Sequence, residues 1–311
     1  MSIAFLFPGQ GSQAVGMGRA FAQGSGAAKA IYEEANDALG FDLARLSFEG
    51  PEAELELTAN TQPAVLTASV AAAAACAERG LVPAVAAGHS LGEYSALVVA
   101  RALRFADAVM LVRRRGELMQ AAVPPGLGAM AAVLGLDLPT VEALCADAAG
   151  DEVVSVANIN SPAQIVIAGH RGAVERALAL AAERGGRKSV TLPVSAPFHC
   201  ALMRPAAEGL ARELRAIVVE DPVIPVVRNV DAQVSRSGAE VAHALIEQVA
   251  NPVRWTDCVA RLARDGAVEF MEVGSGRVLT GLLKRIVEGG RGFTIESPAD
   301  LDRALSGLGR A

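Results

Sequence analysis

Sulfur chemistry is scarce in this chain: Cys76, Cys145, Cys200 and Cys258 stand far apart, with no C-x-x-C pair among them. Thiols so scattered exclude a disulfide framework and a zinc site, and they fit reduced cysteines in a cytoplasmic protein. Positive charge is not in excess either. A net charge of −6 argues against a nucleic-acid partner. Long apolar runs are missing as well. Ile3–Phe7 ends at Pro8-Gly9 and is too short for a signal peptide. Val65–Ala77 is Ala-rich, but Thr67 and Ser69 interrupt it and it cannot span a bilayer, so it reads as a buried helix. No internal repeat or low-complexity linker is visible. What is present is 311 residues, 52% hydrophobic and 20% charged, enough for a large domain with a sizeable core, alone or with a smaller one.

The stretch with the most chemical content is Val85-Ala86-Ala87-Gly88-His89-Ser90-Leu91-Gly92-Glu93. An apolar run leads into Gly-His-Ser-Leu-Gly, and a helical run follows from Glu93 to Val99. That is the strand–turn–helix context in which G-x-S-x-G becomes a nucleophile elbow. Gly88 and Gly92 flank the serine where a side chain would collide in so tight a turn. Ser90 then stands at a helix N-terminus, with the Leu91 amide free to bind an oxyanion.

Around this element, strands alternate with helices. Ile3–Phe7 reads as a buried strand, Ala27–Leu39, Pro63–Arg79 and Phe105 to about Ala122 as helices, which argues an α/β architecture with a mainly parallel sheet. Pro124-Pro125-Gly126 then changes the rhythm. Strand Ala129–Leu136, helix Leu138–Ala148, strands Val153–Ala157 and Ile165–Ala168 around a turn at Asn158–Pro162, helix Ala173–Arg184 and strand Lys188–Val194 follow. That β-α-β-β-α-β order is ferredoxin-like. It places a small subdomain at 126–196, inserted into a large domain made of 1–125 and 197–311. The last part returns to α/β alternation, with helix Ala201–Ile217, strand Ile224–Asn229, helix Glu240–Val249, strand Val268–Val273 and helix Val278–Val287.

A serine nucleophile needs a base, most often histidine, and the chain has four. His89 adjoins Ser90, where consecutive side chains point apart, so it packs or supports the turn. His170 opens a small-domain helix, and His243 lies inside an amphipathic one. His199 remains, in Ser195-Ala196-Pro197-Phe198-His199-Cys200, where the small domain hands back to the large one, and domain junctions are where clefts lie. Paired with Ser90, it is the favoured base. No acidic residue occupies an obvious third position: Asp231, Asp257 and Glu272 are available but read as structural, and a backbone carbonyl holds a histidine tautomer equally well.

Arg115 is on the wrong face for a surface arginine. At 100° per residue, the positions within about 60° of it are Ala108, Leu111, Val112, Leu118 and Met119, all apolar, whereas Arg113 shares its side with Glu117 and Gln120. A buried guanidinium without a partner costs several kcal/mol, so a carboxylate should meet it: either an internal Asp or Glu, or an anionic substrate. Arginine suits a carboxylate clamp because it offers two parallel hydrogen bonds.

Gly9-Gln10-Gly11-Ser12-Gln13-Ala14 formally matches the G-x-G-x-x-A dinucleotide fingerprint, but Glu33 and Glu34, at the spacing of its ribose-binding acid, fall in a helical run. No G-K-[ST] follows, which excludes a phosphate loop. The loop reads better as the source of a second oxyanion-hole amide, from Gln10.

Taken together, Phe7–Gln13, Gly88–Tyr94, Arg115-Gly116, Asn158–Pro162, Pro197-Phe198-His199, Asn251–Trp255 and Glu272-Val273-Gly274 resemble the malonyl-CoA:acyl carrier protein transacylases of fatty-acid synthesis and the related polyketide acyltransferases, from residue 3 to about residue 288. The resemblance implies a hydrolase-like core with a ferredoxin-like subdomain, which agrees with the reading above. It implies that Ser90 is acylated, His199 is the base, Arg115 binds the malonyl carboxylate, Gln10 and Leu91 form the oxyanion hole, and the Gln248 carbonyl orients His199. It also implies malonyl-CoA and an acyl carrier protein as partners; the acyl-serine chemistry needs neither metal nor bound cofactor, and a monomer is expected. Gly274-Ser275-Gly276 departs from the frequent Gly-Pro-Gly and lies off the motifs. Phe198 stands where some members carry serine, and among the polyketide relatives phenylalanine at that position accompanies selection of malonyl over methylmalonyl.

Three rival readings fit the chain less well. A lipase or thioesterase of the α/β-hydrolase type usually carries its histidine near the C-terminus, and more than a third of this chain follows His199. A non-catalytic carrier-binding module would not need Ser90, His199 and Arg115 together. A dinucleotide binder lacks its acidic residue. Carrier proteins are generally acidic, so docking on an acidic enzyme calls for a local basic patch, for which Arg187-Lys188 and Lys284-Arg285 are the candidates.

Overall fold

The alternation of short apolar runs with helices builds two sheets in the computed structural model, which describes residues 2–309 apart from Ser195 and the Lys188 side chain. The larger sheet contains β1 (Ser2–Phe7), β2 (Val85–Gly88), β7 (Val226–Val227), β8 (Val234–Ser235), β9 (Ala267–Val273) and β10 (Arg291–Ile295), in the order β10-β9-β1-β2-β7-β8. All its pairings are parallel except β7 with β8. Helices cover both faces, so β1 is apolar on both sides: Phe5 and Phe7 face a core with Leu66 and Tyr94, while Ala4 and Leu6 face Trp255 and Phe270. The helix Thr58–Glu78 is buried along most of its length and packs within the first of these cores. Among the described residues, no helix is long and apolar enough to cross a membrane.

From β1 the chain moves to β2 and β7 on one side, then returns to β9 and β10 on the other. Such a reversal leaves a crevice beyond the C-terminal ends of the central strands. Phe7 pairs with Gly88, so the loop after β1 and the turn after β2 emerge side by side there.

The second sheet holds β3 (Gly128–Leu134), β4 (Val154–Ser161), β5 (Gln164–His170) and β6 (Arg187–Thr191), ordered β4-β5-β3-β6 and antiparallel throughout. With the helices Leu138–Ala149 and Arg171–Glu183 this is the ferredoxin-like β-α-β-β-α-β unit. One face packs Val133, Ile165 and Ile167 against Val141, Leu144 and Ala177, and the other contributes Met130, Val166 and Ala168 to the main core.

Several elements differ from the sequence expectation. The expected turn at Asn158–Pro162 is mostly strand, because Asn158 pairs with Val166 and also forms a parallel bridge with Val253; the chain reverses only at Pro162-Ala163. The strand expected at Ile224–Asn229 keeps only two residues, since Pro225 lacks a donor and Asn229 is drawn toward the Ser90 turn. The helix expected at Ala201–Ile217 divides into a short 3-10 turn, Ala201–Met203, and the helix Arg204–Leu214, with proline in its first turn. The helices Leu43–Glu49, Trp255–Arg264 and Pro298–Gly307, and strand β10, were not anticipated.

Candidate active site

Ser90 links β2 to the helix Leu91–Val99, with φ 52° and ψ −105°. A non-glycine residue at positive φ is strained and survives only where its surroundings dictate it. Here they do. A Cβ on Gly88 would land on the Gly92 carbonyl, and a Cβ on Gly92 would land on the Phe7 carbonyl oxygen. The turn is therefore pressed against itself and against β1, which thrusts the serine outward.

His199 reaches this serine from the far side of the crevice. Its Nε2 lies 2.8 Å from Ser90 Oγ, and its Nδ1 lies 2.8 Å from the Gln248 carbonyl oxygen. A carbonyl only accepts, so Nδ1 carries the proton and Nε2 is left to accept from the hydroxyl. The ring is 4% exposed. Burial above all, then the Arg115 charge, pushes its pKa down to about 3, against the hydrogen bond to Gln248. The imidazole is thus neutral, the form a base needs.

Arg115 comes from the helix Phe105–Ala121 and is 2% exposed. Gly116 makes this possible: a Cβ there would strike the backbone of Thr58 and Ala59, so the two helices approach closely and bring Gln62 alongside. Arg115 Nη1 donates to Gln62 Oε1 at 2.7 Å, and Nη2 donates to Gln248 Oε1 at 3.0 Å and to Ser90 Oγ at 3.1 Å. Its Nε has no hydrogen-bond partner among the described residues. Of the two partners expected for a buried guanidinium, an internal carboxylate is not in direct contact; among the described residues Arg115 forms no ion pair. Arg113 and Arg114, by contrast, pair with Glu117 at the surface.

Two further side chains complete the frame. Asn229 accepts from the Ser90 amide through Oδ1 at 2.7 Å and donates to the Gly88 carbonyl through Nδ2 at 2.8 Å, spanning the turn. Gln248 Nε2 donates to the Ser90 carbonyl at 3.0 Å and to Glu93 Oε2 at 2.8 Å. A cavity of about 110 Å³ opens over these groups, lined by the polar Gln10, Gln62, His89 and Asn158 and by the apolar Leu91, Met119, Met130, Leu192, Val194 and Phe198. A larger cleft of about 710 Å³, sharing Gln10, Leu192 and Val194 with it, runs past Gly11, Gln13 and Leu57. Leu91 begins its helix, where backbone N–H groups have no intrahelical acceptor.

Most of the remaining candidates have partners of their own. His89 bonds Asn160 at 2.8 Å and leans on Trp255; His170 accepts from the Val153 amide; His243 is exposed. Asp231 pairs with Arg228, Asp257 with Arg254, and Glu272 takes the amides of Leu279 and Thr280. Arg187, Lys284 and Arg285 are exposed but line neither cavity, Arg285 donating to Gln164, and the Lys188 side chain lies outside the described residues.

Comparison with known proteins places the chain in a family. Residues 4–293 match the acyl transferase domain family. The chain is 50% identical over 303 residues to the malonyl CoA-acyl carrier protein transacylase of Escherichia coli K12, covering 97% of this chain and 98% of that one. The chain belongs to that transacylase family. Among solved structures, the acyl-carrier-protein S-malonyltransferase of Burkholderia pseudomallei 1710b superposes with a TM-score of 0.96 at 48% identity, over 98% of this chain and 100% of that one. A malonyl-transacylase solved with its type II polyketide-synthase acyl carrier protein superposes equally well, TM-score 0.96 at 46% identity, over 99% and 100% of the two chains. As a member of these transacylases the protein is an acyltransferase with a mixed α/β fold.

Asn229, Gln62, Glu93 and the Gln248 side chain were missed as site residues. Only Glu93 carried a local signal, a carboxylate in the largely apolar helix Leu91–Val99.

Proposed function

We propose that this protein moves the malonyl group from malonyl-CoA to the phosphopantetheine thiol of an acyl carrier protein, in two steps through an O-malonyl-Ser90 intermediate. In the first, the Ser90 hydroxyl gives its proton to His199 Nε2 while Oγ bonds the thioester carbonyl carbon; the C–S bond then breaks and the departing thiolate takes the proton from His199. In the second, the carrier thiol gives its proton to His199, its sulfur bonds the same carbon, the Oγ–C bond breaks and Ser90 recovers the proton. The negative charge that gathers on the carbonyl oxygen in each step is met by the Gln10 and Leu91 amides.

One observation carries the reading: a buried arginine, held by two glutamine oxygens and with no carboxylate of its own in contact, stands within 3.1 Å of the serine that His199 contacts. A malonyl group attached at Ser90 Oγ would bring its free carboxylate to the guanidinium, whereas a neutral acyl chain would leave that charge facing an apolar wall. Incubation with malonyl-CoA followed by intact-protein mass spectrometry tests the intermediate. Wild-type protein should gain one malonyl mass and Ser90→Ala none; an adduct on the alanine variant would overturn the assignment.

A further inference from the structure

Glu93 has no task in the steps above, yet it is 2% exposed and forms no ion pair among the described residues. Its Oε2 accepts from the Asn229 amide at 3.0 Å and from Gln248 Nε2 at 2.8 Å. The other end of the same Gln248 amide, Oε1, accepts from Arg115. That amide cannot be reversed. Turned over, its oxygen would face the Glu93 carboxylate, the Ser90 carbonyl and Asn229 Oδ1, while its NH₂ would meet the guanidinium. A carboxylate and a guanidinium are therefore joined through one side chain of fixed orientation, within a site that excludes most water.

We propose that Glu93 is a positioning residue which, through the Gln248 side chain, aligns Arg115 and partly balances its charge, so that it limits how tightly the malonyl carboxylate is held. The inference rests on the malonyl reading given above. In the free enzyme Glu93 is the anion nearest to Arg115 through the network. A bound malonyl group brings a second anion to the same cation, and the two carboxylates oppose each other. The acyl group is then anchored for selection yet loose enough to pass on.

Removing the Glu93 charge should tighten malonyl binding, and protonation removes it as surely as substitution. Burial raises the Glu93 pKa to about 7, against hydrogen bonds from Asn229 and Gln248 and the charges of Arg115 and Arg228. The other titratable groups around it are His199, His89, Tyr94 and Cys258. Burial holds His199 down at about 3 and lowers His89 as well, while it drives Tyr94 up to about 12 and Cys258 well above the ordinary thiol range. Glu93 is thus the carboxylate of this set that burial raises to about 7, while both histidines are pushed below their ordinary value.

The test is calorimetric binding of malonyl-CoA and acetyl-CoA to unreactive Ser90→Ala protein, with and without Glu93→Gln, at about pH 8.5 and about pH 5.5. Glutamine keeps an acceptor oxygen for Asn229 and Gln248 and removes only the charge. A unit charge several ångströms away at an effective dielectric near 20 is worth roughly tenfold in affinity. Malonyl-CoA should bind roughly tenfold tighter at the lower pH, and in Glu93→Gln it should bind that tightly at both. Acetyl-CoA, which shares the titrating CoA phosphates, supplies the baseline and should not respond to Glu93→Gln. Equal shifts for both ligands, or no shift, would overturn the role of Glu93. If the double variant does not fold, the pH response of Ser90→Ala alone decides, and a malonyl affinity that tracks acetyl is the contrary result. Adding Arg115→Ala to Ser90→Ala separates the two claims: an unchanged malonyl preference there defeats the malonyl reading itself, whereas a lost preference with a silent Glu93→Gln defeats only this inference.

Discussion

Two glycines close to Ser90 in sequence shape its turn, while four side chains from distant segments, Arg115, His199, Asn229 and Gln248, hold it in use. The turn is a matter of backbone contact. Gly88 and Gly92 leave no room for a methyl group, and β1 closes the space behind them. The frame is a matter of polar satisfaction, with the serine hydroxyl, amide and carbonyl each assigned a partner. The first construction should fail abruptly and the second by degrees.

Gly92→Ala should therefore have the largest effect. The added carbon meets the Phe7 carbonyl, which belongs to a central strand and cannot yield cheaply. Loss of soluble folded protein, or a large fall in melting temperature with no malonyl labelling, is expected; a stable and active variant would show that the turn is not pinned by β1. His199→Ala acts on the frame and should spare the fold. Acylation, followed by quenched-flow mass spectrometry, should slow by about 10²–10⁴, the usual worth of a general base. A near-normal rate would move the base elsewhere.

A gentler probe of the frame is pH. Because burial and the neighbouring Arg115 hold His199 at about 3, its neutral, proton-accepting form persists well below the ordinary histidine range. At saturating malonyl-CoA the acylation rate should stay level as pH falls through about 6.5 and drop only on approach to the depressed value. A fall centred near 6.5 would mean that His199 is solvated when it works. At the small end, Gly281→Ala replaces a glycine in the helix Val278–Ile286 whose added carbon meets nothing within 4 Å. The same substitution that ruins Gly92 should stabilise the protein here by about 0.5–1 kcal/mol in denaturant unfolding.

The same contrast explains what the sequence revealed. The turn was legible because its constraints fall within one pentapeptide. Arg115 was legible because helical periodicity placed a charge among apolar neighbours, and the structure keeps it buried there. The ferredoxin-like unit was legible from its order of elements, although its second strand runs on through the expected turn because Val253 bridges to Asn158. Asn229 was not: it follows a two-residue strand and works only because the fold sets it beside Gly88 and Ser90. Gln62 carries no local signal and works because the close approach at Gly116 sets its helix against Arg115. Gln248 entered through family resemblance for its carbonyl, whereas its side chain, which binds Arg115 and Glu93, left no trace in local pattern.

The claim at the centre is that Arg115 selects the substrate, and the ratio of kcat/KM for malonyl-CoA to that for acetyl-CoA in Arg115→Ala measures it most directly. Deleting one member of a buried, charge-assisted pair costs about 3–5 kcal/mol, so malonyl transfer should fall by roughly 10²–10³ or more. Acetyl-CoA has no carboxylate to lose and should be used as well as before or better, provided Ser90 remains reactive. The predicted result is a malonyl preference that collapses or inverts. An equal fall for both substrates would contradict it, and would make Arg115 a structural arginine satisfied by Gln62 and Gln248.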